Sequence, residues 1–393
     1  MNILIIGNGF DLAHGLPTKY EHFLKYTYAF KQFKYLHNQK MVEMYRETAN
    51  DEDKKYIEYF ANLYEQKNKI FEEIERLILD NVWIDYFGEI YKIQKAKRKD
   101  GWIDFESGIS EVIQSLDHAR CTILEKINQG KKRGRITKQQ LNILEPLWGK
   151  MGIEEGSVLF QEQDIENIKV RCLKDLNRLT RCLEIYLYDY VEGCVGKNPK
   201  IKLPDVEKLN IDHILSFNYT HTYKRIYHID QSKKIEYNYI HGEVKSDSNI
   251  ENCNLILGID EYLEGEAKNK DNEFIQFKKF YQRIYKRTGS EYVDWKEKAV
   301  QSSLAMRRID VKPLHNIYII GHSLDITDKD ILSSLINIPN TRTTIFYHNQ
   351  EALGNQINNL VKVLGEEELI SKVHGTDASI VLQKQQESVW MEN

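Results

Sequence analysis

MNILIIGNGFDLAHGLPTKY, residues Met1–Tyr20, contains an apolar run, Ile3-Leu4-Ile5-Ile6, too short for a helix and ending in a glycine pair, Gly7 and Gly9. A buried strand that turns sharply into a phosphate-facing loop has this texture in nucleotide-binding α/β folds. Glycines let backbone N–H groups approach a ligand closely, and a helix N-terminus behind them favours negative charge. The match to G-x-G-x-x-G is incomplete, because Leu12 stands where the third glycine belongs. A tight strand-to-helix turn without a ligand would use the same residues.

Around that stretch the composition is that of a folded globular chain. Of 393 residues, 41% are apolar and 29% charged, enough for a large core and more than one lobe. A formal net charge of -4 gives no general argument for nucleic acid. The five cysteines are an odd number with no C-x-x-C pair, which argues against a disulfide framework and a structural zinc site and fits a reducing cytoplasm. No apolar run has the length of a membrane span, and Met1–Ile6 lacks the basic leader of a signal peptide, so the apolar start is expected to belong to the fold.

Two textures alternate along the chain. From about residue 20 to 200 it is charged, tyrosine-rich and nearly free of proline. Tyr56, Phe60, Leu63, Tyr64, Lys67, Ile70, Phe71, Ile74, Leu77 and Ile78 repeat at three and four residues, predicting an amphipathic helix. A second helix is predicted over about Asp164–Val191. From about residue 210 short β-rich runs take over, with strands predicted at His213–Phe217, Tyr237–His241, Leu255–Gly258, Ile317–Gly321 and Thr343–Tyr347. Since one strand cannot stand alone, the opening run must join these. The expected fold is therefore α/β, a Rossmann-like, mostly parallel sheet formed by residues 1–25 and 205–393, with a large helical insertion over 26–204. The insertion's basic loops, Lys95–Lys99 and Lys131–Arg135, read as solvated surface rather than a nucleic-acid face.

Polar residues follow the carboxyl ends of several of these strands, where open α/β sheets bind ligands. They are Asn8, Asp11 and His14 after the first, Ser216–Thr220 after the second, His241-Gly242 after the third, Gly258-Ile259-Asp260 after the fourth, and Gly321–Asp325 after the fifth.

The segment Gly7–Thr18 (G-N-G-F-D-L-A-H-G-L-P-T) resembles the signature of the AbiH-like bacterial abortive-infection family of phage defence. W-I-D-F-E at Trp102–Glu106, F-N-Y-T at Phe217–Thr220, H-G at His241–Gly242 and G-H-S-L at Gly321–Leu324 follow in that family's order. More distantly, the same motifs resemble the sirtuin-like superfamily, which has a Rossmann-like NAD-binding core and antiviral members that destroy NAD. The resemblance implies that Gly7, Asn8, Gly9, Phe10 and Asp11 form a dinucleotide loop. It puts Asn218 and His241 at the active-site Asn and His, beside Tyr219 and Gly242. Gly321, His322 and Ser323 fall on the late loop of the adenosine side. Three departures stand out: Asp11 replaces a small residue, the zinc cysteines of deacylating sirtuins are absent, and the insertion is long.

The implied chemistry is cleavage of the nicotinamide–ribose bond, through an oxocarbenium-like state. An Asn amide can orient water, and a His can act as base near neutral pH. Asn218 is assigned the water, His241 the base role, and Asp11 a ribose hydroxyl or the oxocarbenium charge. NAD is thus expected as substrate rather than retained cofactor. The expected ligand is a dinucleotide or related nucleotide, with a homo-oligomer and a phage-derived trigger as partners, no membrane, no metal, and a cytoplasmic setting. Three alternatives stay open: a nucleotide sensor without turnover, a serine hydrolase using Ser323 with Asp328 or Asp330 and His348 or His374, and a metal-dependent nuclease using Asp104 and Glu106.

Overall fold

The structure, a computed structural model, describes residues 1–38, 41–43, 50–96, 103–131, 133–135, 137–148, 159–197, 199–230, 232–305, 314–376 and 378–391. Trp102 and parts of the two basic loops (Lys97, Arg98, Lys99 and Lys132) lie outside the described residues. The chain divides into two compact units, Met1–Thr18 with Val191–Val244 and Arg287–Asn393, and Lys19–Tyr190 with Lys245–Lys286. The sheet-bearing unit is thus made of three pieces of chain.

In the first unit six strands form one sheet: β1 (Asn2–Ile6), β2 (His213–Ser216), β3 (Glu236–Tyr239), β4 (His315–Ile320), β5 (Thr341–Tyr347) and β6 (Ile380–Lys384). All neighbours are parallel, and the order across the sheet is β3-β2-β1-β4-β5-β6. That is the order of doubly wound dinucleotide-binding sheets, and it reverses between β1 and β4, opening a crevice at their carboxyl ends. Register puts Ile6 beside Ser216 on one side and Ile320 on the other, so the three loops that follow begin level with each other.

The apolar run of β1 is buried on both faces because it is the central strand. Ile3 and Ile5 pack into one layer with Leu215, Ile317, Ile319, Leu332 and Ile345. Leu4 and Ile6 pack into the other with Phe10, Ile214, Ile320 and Phe346. A strand covered twice reads as continuous rather than alternating hydrophobicity.

Two predicted elements are corrected here. Leu255–Gly258 is not a strand; this buried segment belongs to the second unit, and only an isolated bridge, Ile259 to Lys278, follows it. Gln282 substitutes for a ladder neighbour: its Oε1 accepts from Leu257 N–H and its Nε2 donates to Leu257 C=O, both at 3.1 Å. The sixth strand of the sheet is instead β6. Second, the run Tyr56–Ile78 is two helices, Asp51–Glu65 and Lys69–Ile78. Lys67 turns into the left-handed region (φ 51°), and Asn68 caps the second helix by accepting from Ile70 N–H.

The second unit is helical, with long helices at Tyr20–Asn38, Val82–Ala96, Phe105–Asn128 and Glu162–Ile185 in addition to those two. Its core is aromatic: Tyr26 lies 4.8–5.9 Å, centroid to centroid, from Tyr56, Tyr59, Phe60, Tyr186 and Tyr190. The helix predicted over Asp164–Val191 changes character at Ile185 and continues as a π-helix, Tyr186–Val195. Among the described residues, no helix is long and apolar enough to cross a membrane.

Candidate functional site

The loop after β1 leads into helix α1 (Asn8–Ala13), and its glycines answer first to the loop after β4. Gly7 N–H donates to Ile320 C=O (3.3 Å) and Gly9 N–H to Gly321 C=O (2.8 Å). A Cβ on Gly9 would lie 2.9 Å from Gly321, and one on Gly7 2.8 Å from Gly321 O and His322 Cα. The pair therefore lets two backbones cross, and two of its N–H groups are already spent on that crossing. Asn8 is exposed, its Oδ1 accepting from Thr18 Oγ1 at 2.6 Å. Phe10 is fully buried in the core beside Leu4 and Ile6, 4.5 Å from the His14 ring.

His14 completes a neutral network beneath α1. Its Nδ1 meets Phe10 C=O at 2.7 Å, which places the proton there and leaves Nε2 to accept from Tyr227 O–H at 2.7 Å. Burial lowers its pKa to about 4, against the opposing pull of the Phe10 carbonyl.

The remaining polar residues form two groups. In the first, Asp11 is buried, and its Oδ2 accepts from Thr220 Oγ1 at 2.6 Å. Thr220 in turn shares a 3.1 Å bond with Thr222. Asn218 Nδ2 donates to Gly7 C=O at 2.9 Å, tying the β2 loop to the glycine loop. Burial raises the Asp11 carboxyl to about 6; hydrogen bonds from Thr220, Thr222 and Asn218 oppose the rise and the charge of Glu192 adds to it.

In the second group, His241 and His322 flank Asp328, with Nε2–carboxylate distances of 3.9 and 3.4 Å. Leu324 N–H donates to His322 Nδ1 at 2.9 Å, so the neutral ring carries its proton on Nε2, facing Asp328. Phe217 presents its ring edge-on to both imidazoles, at 4.3 Å from His322 and 5.7 Å from His241. Tyr219 lies 6.5 Å from His241, and Gly242 makes the turn with φ +82°. The sequence-derived residues thus follow the carboxyl ends of neighbouring strands but split between these groups, with Asn218 and Asp11 in one and His241 and His322 in the other.

Ser323 is exposed, and the left-handed residues of its loop are Gly321 and Leu324, so the strained turn of a nucleophile elbow does not fall on the serine. Asp328, an acid of the hydrolase reading, faces the two histidines instead. In the second unit Asp104 caps the helix Phe105–Asn128 through Glu106 N–H, and Glu106 pairs with Lys279 at 2.5 Å. Among the described residues, no group of three or more His, Cys, Asp or Glu side chains is placed to hold a metal ion.

Sequence reasoning missed an ionic bridge beside the first group. His221 N–H donates to Glu192 Oε1 at 2.5 Å, its Nδ1 lies 3.3 Å from Glu192 Oε2, and its Nε2 lies 3.0 Å from Glu243 Oε2. Glu192 sits in the π-helix, where a helical stripe carries no hint of a site. Burial alone would lower the pKa of His221, but the two carboxylates overcome it and raise it to about 9. A His raised in the folded state contributes stability that is fully present below its unfolded value and lost as pH rises through the folded one. Replacing His221 by Gln should therefore cost about 2 kcal/mol near pH 6, after allowance for solvent screening, and nothing comparable above pH 9. Thermal unfolding of the two proteins across that range checks this; a constant difference would refute it.

The family model described as "Bacteriophage abortive infection AbiH" matches residues 3–348. No curated protein matches the chain.

Proposed function

We propose that this chain, which belongs to the bacteriophage abortive infection AbiH family, acts in antiphage defence by cleaving the nicotinamide–ribose bond of NAD. The observation that carries this reading is the gathering of Asp11, Asn218, His241 and His322 where loops leave β1, β2, β3 and β4, at the point where the strand order reverses. Ligands of doubly wound sheets bind there.

Nicotinamide is a good leaving group from NAD, so the protein must chiefly stabilise a cationic ribose and direct a water. Asn218 is the amide for that water, and His241, beside Asp328, is the base toward water or a ribose hydroxyl. Asp11 faces the ribose, as acceptor for a hydroxyl or as negative charge opposite the oxocarbenium. NAD is substrate here, not a retained cofactor. Such an enzyme needs a gate in its own cell, and we assign that to a phage-derived trigger and self-assembly in the cytoplasm. The described free thiols, Cys121, Cys172, Cys182, Cys194 and Cys253, suit that reducing setting.

One observation favours a second reading, a nucleotide sensor without turnover: Asn218 Nδ2 is already engaged by Gly7 C=O. Purified full-length protein incubated with NAD separates the two. The glycohydrolase reading expects nicotinamide release that Asn218→Ala and His241→Ala each lower by at least about 100-fold. Saturable NAD binding with no release would point to the sensor. Neither binding nor release overturns both.

A further inference from the structure

We propose that Asp11 is a catalytic residue, the group that takes the proton from the attacking water, and that Glu192, His221 and Glu243 are positioning residues behind it. The proposal rests on the glycohydrolase reading for its reaction and narrows it: Asp11 takes the water proton, which leaves His241, beside Asp328, to act on a ribose hydroxyl.

The two oxygens of Asp11 are unlike. Oδ2 accepts from Thr220 Oγ1, while Oδ1 is buried without any hydrogen-bond partner. Buried polar atoms are almost always satisfied, so an acceptor left open here, behind the end of β1, is one held for a donor that arrives with the ligand. The hydroxyl on Oδ2 comes from Thr220, which is itself bonded to Thr222, and these two residues lie on either side of His221. Whatever fixes residue 221 therefore fixes both hydroxyls. His221 is held at three points, by its backbone N–H and Nδ1 against Glu192 and by its Nε2 against Glu243. An imidazolium with a carboxylate at each nitrogen cannot rotate without losing a charge-assisted bond. Arg225, 4.0 Å from Glu192, adds a second cation to the bridge.

Titratable groups facing Asp11 include Glu192 from the π-helix and Tyr239 from β3, and Thr220, Thr222 and Asn218 contribute neutral hydrogen bonds. Burial first, and Glu192 after it, hold the carboxyl at about 6, against those hydrogen bonds. It is thus ionised at neutral pH yet more basic than an ordinary aspartate, as a base for water should be. In the step itself, water oxygen bonds to ribose C1′ while the C1′–N bond breaks and its electron pair leaves with neutral nicotinamide. The water proton passes to Asp11 Oδ1, and deprotonation by solvent resets the site.

The test is a carboxyl-carbon NMR titration of the full chain labelled at aspartate, with the Asp11 signal assigned by Asp11→Asn, in wild type and Glu192→Gln. Gln keeps an acceptor for His221 N–H but removes the charge. We expect Asp11 to titrate near 6 and to fall by about one unit in the variant, with the acid limb of kcat/KM for NAD moving by the same amount. An Asp11 signal that titrates as an ordinary aspartate, or that does not move with Glu192, overturns the positioning role. Turnover whose acid limb stays fixed overturns the catalytic role. If wild type releases no nicotinamide, the glycohydrolase reading and the catalytic role fall together, while the titration still decides whether Glu192 governs Asp11.

Discussion

Gly321→Ala should destabilise the sheet unit by about 2–5 kcal/mol. Gly321 has φ +66°, and a Cβ there would lie 2.1 Å from Phe10 N, 2.6 Å from Gly9 C and 2.8 Å from Phe10 Cα. All three are backbone atoms at the start of α1, so no side chain can swing away. Relief would need the β1 and β4 loops to separate, breaking the 2.8 Å bond from Gly9 N–H to Gly321 C=O. A left-handed alanine costs about 1–2 kcal/mol and overpacking a rigid contact about 1–3 more, a large share of the roughly 5–15 kcal/mol that holds a domain together. Gly354 is the control. It lies inside the helix Gln350–Leu364 with nothing within 4 Å of its added Cβ, so Gly354→Ala should stabilise by about 0.5–1 kcal/mol. Denaturant unfolding of both variants checks the pair; a Gly321→Ala protein as stable as wild type would mean the loops do not cross as described.

Asp11→Asn should be more stable than wild type at neutral pH and inactive on NAD. Burial, with Glu192, raises the folded carboxyl from 3.8 to about 6. Below pH 3.8 both folded and unfolded chains hold the proton and the site costs nothing by this route. Between 3.8 and about 6 the unfolded chain loses its proton first, so folding is penalised increasingly, by up to about 3 kcal/mol above pH 6. Asparagine removes the charge while its Oδ1 still accepts from Thr220. The stability gain over wild type should therefore grow from pH 4 to pH 7 and then level off, which thermal melts at several pH values read directly. A gain independent of pH would show that Asp11 is not the source. Stability held back at one residue is what a functional site is expected to show.

The centre of the sheet was readable because β1 is buried on both faces and its glycines are forced by a backbone crossing. Both leave residues that nothing else explains: an unbroken Ile-Leu-Ile-Ile run, then Gly7 and Gly9. Leu255–Gly258 misled for the same reason that β1 did not. Its apolar run is as buried as a central strand, but the backbone partner is the side chain of Gln282, 25 residues away from Leu257, and periodicity cannot distinguish an amide from a ladder. β6 went unread because its outer half, Gln383 and Lys384, is exposed at the sheet edge. Residues that follow strand ends were legible as neighbours, since topology alone gathers them. Glu192 and Glu243 were not, because their meaning comes only from His221 lying between them.

The strand order has a consequence for how the protein is made. β1 ends at Ile6, but its neighbours begin at His213 and His315. At about 5–20 residues per second, a ribosome takes roughly 10–40 s to deliver the first of them. Throughout that interval the most apolar segment of the sheet has no strand to pair with on either side, while helices between them form from local contacts. Synthesis thus holds a sticky edge open until His213 and the strand it begins have been added, and chaperone binding to that edge is the step on which yield in the cell should depend.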